Sequence, residues 1–258
     1  MEVITEDKVR ALIPVREPAS HKGENGRVLL ISGHSEFPGA TVLAGMGALY
    51  SGADLVRIHA PDDNVSTIRS YCPEFIVRGF GGDVFLKNHL PEIADWISES
   101  DVIVVGMGSK PEPEFLKAIT QLLAADKLFV LDSSAIFALQ NDASNVLITP
   151  HAGEFAKFSG VRTNILLKGQ VDTITSYGGD TAHNKTGHAG MTVGGSGDVL
   201  AGLCGSMMSQ GLNPFDAAQV AAFTLGKAGE KLSETKWNAY SAYDLAYELP
   251  KIFAQLVS

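Results

Sequence analysis

Cysteine is scarce in this chain: among 258 residues only Cys72 and Cys204 occur, far apart and outside any CxxC context. That excludes a disulfide framework and a cysteine-based zinc site, and both read as small buried or half-buried residues rather than nucleophiles. No apolar run reaches the length of a membrane span. The start, Met1-Glu2-Val3-Ile4-Thr5-Glu6-Asp7-Lys8, lacks a basic stretch followed by an apolar core, so neither a transmembrane helix nor a secretory leader is expected. The expected location is the cytoplasm. Positive charge is also short, with 20 Lys and Arg against 29 Asp and Glu for a formal charge of −9. Such a balance argues against a nucleic-acid or anionic-membrane partner. An anionic ligand would have to be met locally, by single cations, backbone amides or a divalent ion.

Two phosphate-binding signatures are missing as well. There is no GxxxxGK[ST], which removes a P-loop. The first strand-to-helix turn holds Gly33 and Gly39 but no GxGxxG, and no acid ends the second strand, which disfavours a nicotinamide-dependent dehydrogenase. Linkers, low-complexity tracts and repeats are absent too. Residues 1–258 are therefore expected to form one domain with a substantial core.

What the chain has in abundance is an α/β pattern. Short apolar strands are expected at Val28–Ser32, Leu55–His59, Asp101–Gly106, Leu128–Asp132 and Val146–Thr149, then at Ile165–Gly169 and Val171–Thr175. Helical patterns run over Ala40–Gly52 and through Phe115 and Ile119, and a short helix opens at Gly153-Glu154-Phe155. From Ser196 onward the pattern is almost wholly helical: Val199–Ser209, Pro214–Lys231 and Tyr243–Leu256. Tyr177-Gly178-Gly179-Asp180 supplies a turn.

Glycine is concentrated in one place. Between Thr186 and Gly202 lie Gly187, Gly190, Gly194, Gly195, Gly197 and Gly202, and Asp198 stands where the loop becomes a helix. Glycines let backbone N–H groups converge, and the first turn of a helix leaves such donors unpaired. The plainer account is a tight loop with Asp198 as a favourable first-turn acid. Six glycines around one carboxylate argue instead for an anion seat with a proton acceptor beside it, as phosphoryl transfer to an alcohol requires.

Gly194-Gly195-Ser196-Gly197-Asp198 resembles the GxGD motif of ribokinase-like kinases. The ordered set of His21–Val28, Gly39-Ala40, Gly106-Met107-Gly108, Thr149-Pro150-His151-Ala152-Gly153-Glu154-Phe155, Leu167-Lys168-Gly169 and Thr186–Gly202 resembles the NAD(P)H-hydrate dehydratase family. The resemblance spans about residues 20–230. It implies a ribokinase-like three-layer sandwich, a central mostly parallel sheet with helices on both faces and no separate lid domain. It also implies an ADP- or ATP-dependent dehydration of (S)-NAD(P)H hydrate, ADP favoured, with Mg²⁺. In that reading Asp198 orients or deprotonates the leaving hydroxyl, and Ala40, Gly108, His151 and Asp198 contact the hydrate. Lys168, Gly169, Gln170, Val171 and Asp172, with Gly195, Ser196 and Gly197, hold the nucleotide.

Glu154 and Asn184 are second-rank candidates for positioning metal or phosphate, and no metal ligand can be named. Lys22 and Arg27, near the first strand, read equally as ligand contacts or solvated cations. The resemblance further implies a homo-oligomer, a tetramer among the options, and a separate NAD(P)H-hydrate epimerase as functional partner. Among the departures from the family pattern, Ser134 replaces an acid, His188 an asparagine, and Ala152 and Ala189 each a proline. The alternatives are a small-molecule kinase of the same superfamily and a nucleotide-binding module without turnover.

Overall fold

A computed structural model describes residues 2–158 and 160–257. Its strands are β1 (Glu2–Val3), β2 (Arg27–Ile31), β3 (Leu55–Pro61), β4 (Ile76–Phe80), β5 (Val102–Val105), β6 (Leu128–Leu131), β7 (Ala143–Ile148), β8 (Thr163–Leu167), β9 (Asp172–Thr175) and β10 (Thr181–Asn184). All ten join one sheet in the order β1-β10-β9-β8-β7-β6-β5-β2-β3-β4. Pairing is parallel from β8 to β4, while β9 runs antiparallel to both β8 and β10.

The helices are α1 (Glu6–Leu12), α2 (Pro38–Leu49), α3 (Asp62–Tyr71), α4 (Ala94–Glu99), α5 (Pro113–Leu122), α6 (Ala152–Phe155), α7 (Ser196–Ser209), α8 (Pro214–Lys236) and α9 (Ala242–Val257). The strand pleat explains how they divide. Val28, Leu30, Val102 and Val104 point to one face, where α2, α7, α8 and α9 supply the cover. Leu29, Ile31, Ile103 and Val105 point to the other, where α4 and α5 pack. A strand buried on both faces carries no polar alternation, hence the continuous apolar runs in the sequence.

The expected strands and the long helices are present, with ends shifted by at most three residues except at the end of α8, which runs five residues further. Helix α2 starts at Pro38, whose fixed φ suits a first helical position, and α8 continues to Lys236. Strands β1, β4 and β10 and helices α1, α3 and α4 were not expected from the sequence.

The topology fixes where a ligand can enter. Strand β2 is flanked by β3 on one side and β5 on the other, so the chain reverses its direction of travel across the sheet between them. The loops leaving β2 and β5 therefore part to leave a crevice at the carboxyl ends of the strands.

Candidate active site

The crevice is closed at its base by backbone. Gly33 N–H donates to Met107 O at 3.2 Å and His34 N–H to Gly108 O at 3.1 Å. Gly108 adopts φ +65°, and a Cβ there would sit 2.7 Å from Phe37 Cβ and 3.1 Å from Ala40 Cβ. Only glycine lets the β5 loop approach the start of α2 this closely. That start is anchored by a buried hydroxyl pair, Ser32 Oγ and Thr41 Oγ1, 2.7 Å apart.

Along the sheet, the ends of β6, β7 and β8 present Asp132, Thr149 and Lys168. Asp132 is 5% exposed. Its Oδ1 accepts from Thr149 Oγ1 at 2.6 Å and from Lys168 Nζ at 2.9 Å. The Lys168 backbone is pinned by its N–H to Pro150 O at 2.9 Å. Burial opposes the Lys168 charge, but Asp132, with Glu154 and Asp198 behind it, outweighs that and raises the pKa.

The glycine loop arrives from the other side. His188 Nδ1 accepts from Gly190 N–H at 3.2 Å and so caps the short turn Ala189–Thr192. Gly195, at φ +97°, is the residue from which α7 springs, and a side chain there would strike Leu43 at 2.4 Å. Gly197 lies so near the Lys168 ammonium that a Cβ would be 3.2 Å from Nζ. One residue later Asp198 stands half-buried in the first turn of α7, where free helix amides favour negative charge. Burial, then the charge of Asp132, pushes its pKa up to about 7, with Lys168 pulling the other way.

Between these elements opens a cavity of about 620 Å³. Lys168, Gly169, Gln170, Asp172, Ser196 and Gly197 line its polar end, joined by Lys185 and His188. Met191, Leu200, Ala222 and Leu225 supply apolar lining. The 168–172 turn is held from within: Asp172 accepts from Gly169 N–H and from Asn184 Nδ2, both at 3.0 Å. Burial raises the Asp172 pKa. Two further cavities, of about 510 and 450 Å³, lie at the opposite ends of the strands among Arg16, Asn25 and Asp54.

A family model described as NAD(P)H-hydrate dehydratase matches residues 28–251. The chain belongs to the NAD(P)H-hydrate dehydratase family. It is 34% identical to an ADP-dependent (S)-NAD(P)H-hydrate dehydratase of Cenarchaeum symbiosum, over 97% of this chain and 96% of that protein. It is 38% identical to a bifunctional NAD(P)H-hydrate repair enzyme of Methanothermobacter thermautotrophicus, over 93% of this chain and 52% of that one. The chain thus spans about half the length of several of the curated relatives it matches. An ADP/ATP-dependent NAD(P)H-hydrate dehydratase from Bacillus subtilis, co-crystallised with ATP/Mg²⁺, superposes with a TM-score of 0.87 at 27% identity, covering 99% of this chain and 98% of that one. The shared architecture is the ribokinase-like α/β fold.

In this member of the dehydratase family, the positions expected from sequence separate into those the fold brings together and those it does not. Ala40 and Gly108 meet at the crevice, and Asp198 acts electrostatically on Lys168 across the glycine loop, with no ion pair between the two among the described residues. Gly195 shapes the start of α7 from behind the cavity wall. Val171 is 43% exposed and is not among the cavity's lining residues. His151 sits beside Lys168 just beyond the ends of β7 and β8, yet its Nδ1 is spent on the N–H groups of Gly153 and Glu154, at 3.0 and 3.2 Å. Glu154 returns the bond to His151 N–H at 2.9 Å, completing a cap on α6.

Asn184, 1% exposed, ties β10 to α8 and to the 168–172 turn and so shapes the cavity from behind. Arg27 begins β2 and donates to Glu99 O, and Lys22 precedes that strand, so both lie at the end of the sheet opposite the glycine loop. Asp132, Thr149, Lys185, Met191 and Leu225 were missed. Thr149 and Met191 stand inside motifs that gave them no role, Asp132, Lys185 and Leu225 carry no local motif of their own, and only the topology gathers the five.

Proposed function

We propose that the chain dehydrates (S)-NAD(P)H hydrate to NAD(P)H at the expense of an adenine nucleotide, ADP in preference to ATP, releasing AMP and phosphate when ADP is used. The observation that carries this reading is the placement of Asp198: a half-buried carboxyl with its pKa near 7, at a helix N-terminus, next to a lysine and a cavity large enough for a nucleotide. Hydroxide leaves poorly at neutral pH and phosphate leaves well. Asp198 takes the proton of the hydrate's hydroxyl as that oxygen accepts the terminal phosphoryl group. Charge on the transferring group is met by Lys168 and by the first-turn amides from Ser196 onward. The ring-nitrogen lone pair then expels phosphate, and loss of the proton from the adjacent carbon restores the reduced ring. Ala40 and Gly108 would contact the hydrate from the crevice, and His151 from the rim beside Lys168. Gly169, Gln170, Val171 and Asp172 would surround the nucleotide from the other side, and Gly195 sets the loop that faces it.

Among the described residues no three His, Cys, Asp or Glu side chains gather as a metal set. This donor set does not suit a resident ion. Magnesium is proposed to arrive on the nucleotide phosphates, as part of the substrate, where it needs few protein ligands. Because the proposed site accepts one hydroxyl epimer, a partner epimerase would convert the other epimer into it. The same proposal includes one functional unit over residues 1–258, a homo-oligomer, and a cytoplasmic location. Among the described residues no helix is long and apolar enough to cross a membrane. The direct test supplies hydrated NADH with Mg²⁺ and either ADP or ATP, and follows the return of NADH absorbance. Recovery dependent on nucleotide supports the reading; no recovery with either, or a stable phosphorylated alcohol instead, overturns it.

A further inference from the structure

The geometry points to Asp132 as the positioning residue of this site: it holds the Lys168 ammonium at the mouth of the glycine loop and keeps it from capturing Asp198. This inference deepens the dehydratase reading and rests on it for its kinetic consequence, though not for its direct test.

Asp132 is built to stay still. Its own N–H donates to Val105 O at 3.0 Å, and its carbonyl accepts from Ala135 N–H at 3.2 Å. The neighbouring strand end approaches so closely that a Cβ on Gly106, which has φ +116°, would be 1.9 Å from Asp132 O. The carboxylate is fixed by a third group, the Thr149 hydroxyl, on the same oxygen that takes the lysine. Lys168, by contrast, is a flexible stem in reach of more than one acid. It is influenced by Asp132, Glu154 and Asp198 together, but among the described residues its ion pair is with Asp132 alone.

The consequence follows from counting charges. Facing Asp198 are Asp132 from the end of β6 and Lys168 from the end of β8. Glu154 of α6 acts on the same ammonium, as does Asp172 of β9 on the far side of the turn. The residues met on the α2 and α9 side, Leu43 and Ala242, are apolar. One cation is thus shared among several carboxylates. Where it rests decides whether Asp198 is a free proton acceptor or half of an ion pair. An Asp198 locked to Lys168 would be ionised at every working pH but would be a weaker base, and its lysine would be withdrawn from the phosphate path. Thr149 and Asp132 prevent that by offering the ammonium a fixed, better-prepared partner.

The test is a carboxyl titration by NMR on aspartate-labelled full-length protein, with the Asp198 resonance identified by its loss in Asp198→Asn. The expected wild-type midpoint is about 7. In Asp132→Asn the amide oxygen still accepts from Thr149, but the anion is gone. Lys168 should turn to Asp198, and the midpoint should fall by about 1–3 units, the usual effect of an adjacent opposite charge. The acid limb of kcat/KM should move down with it, and KM for the nucleotide should rise.

Lys168→Gln gives the opposite sign. With no cation between them the two carboxylates repel, and the first proton is taken up above pH ~7 as a property of the pair. It also keeps the question answerable should Asp132→Asn fail to fold. Loss of the Asp132 charge itself also lowers the Asp198 midpoint, so the share due to the lysine is the share that disappears when Asp132→Asn is made in Lys168→Gln; an undiminished fall there would overturn the assignment. A purely structural role would lower kcat without moving any midpoint. Unchanged midpoints in both variants, or shifts of the same sign, would overturn the assignment. If the wild-type enzyme recovers no NADH, the dehydratase reading fails while the titration still decides the role of Asp132.

Discussion

Asp198 makes contradictory demands on the fold, and their signs can be worked out. A carboxyl that titrates near 7 is half protonated at neutral pH, and only its ionised form accepts a proton. Turnover at subsaturating hydrate should therefore rise about tenfold per unit from acid pH and level off roughly one unit above 7. A profile flat from about pH 5 to 9 would remove Asp198 from the role of base. Asp198→Asn should lower kcat by at least ~10²–10⁴-fold, the usual contribution of a general base, with nucleotide affinity changed only a few-fold, as calorimetric titration would measure. The same raised pKa carries a stability cost. The native state holds this proton more tightly than the unfolded chain, whose value is near 3.8. Stability is therefore fully present at acid pH and is lost as pH rises from about 4 through 7. Asp198→Asn should melt at a higher temperature than the wild type at about pH 8, and the difference should vanish near pH 4. An asparagine variant less stable than wild type at pH 8 would contradict this placement of function against stability.

At the scale of elements, the site depends on how closely α7 lies on α2. A Cβ on Gly202 would be 1.8 Å from Ala44 O, and one on Gly47 would be 2.3 Å from Val199 O. The two helices touch through backbone, which brings the first turn of α7 beside Leu43 and the loop next to Ala40. Gly202→Ala should destabilise the protein by about 1–3 kcal/mol, the typical cost of overpacking, and should lower kcat by displacing Asp198. Gly194→Ala, where added bulk meets nothing within 4 Å, should leave the unfolding midpoint almost unchanged. Equal midpoints for the two variants would refute this contrast.

These contacts also explain what the sequence could reveal. Strands β2, β5 and β6 were legible because burial on both faces demands unbroken apolar runs. Strand β4, Ile-Val-Arg-Gly-Phe, carries a charge and a glycine because it forms an edge. Strand β10, Thr-Ala-His-Asn, is polar because its asparagine serves the 168–172 turn rather than the core. The glycine loop announced itself by density, whereas Asp132 did not: its meaning comes from β6, β7 and β8 ending side by side. Ser134, standing where the family pattern has an acid, donates to Ser109 O at 3.1 Å, a bond that an ionised carboxylate could not give.

Considered whole, the molecule has one apolar layer on each face of the sheet, and the layer beside α4 and α5 contains an ionisable group with no use for its charge. His59, at the end of β3, is fully buried between Phe80 and Phe85, with ring centroids 4.9 and 5.8 Å away. Its Nδ1 donates to Arg78 O at 3.1 Å, the tautomer that satisfies the carbonyl, while Nε2 has no partner among the described residues. Burial lowers its pKa to about 4, and the nearby charges of His89 and Arg78 add to that against the carbonyl's opposing pull. The unfolded chain protonates near 6.5, so between about pH 6.5 and 4 it binds a proton that the native state refuses. The contribution of His59 must fall as pH drops through that window, by up to roughly 3 kcal/mol for a shift of this size, while that of Asp198 rises over the same range. Asp54 and Asp95 have lowered pKa values, Asp95 to about 2. Their contributions are therefore lost mainly at more acid pH, which leaves His59 and, with the opposite sign, Asp198 in the upper window. Chemical denaturation at about pH 7, 5.5 and 4.5 of Asp198→Asn, in which the opposing carboxyl is gone, should show a decline that adding His59→Leu largely abolishes. A double variant that loses stability across that range as steeply as Asp198→Asn would mean that the acid sensitivity of this fold arises elsewhere.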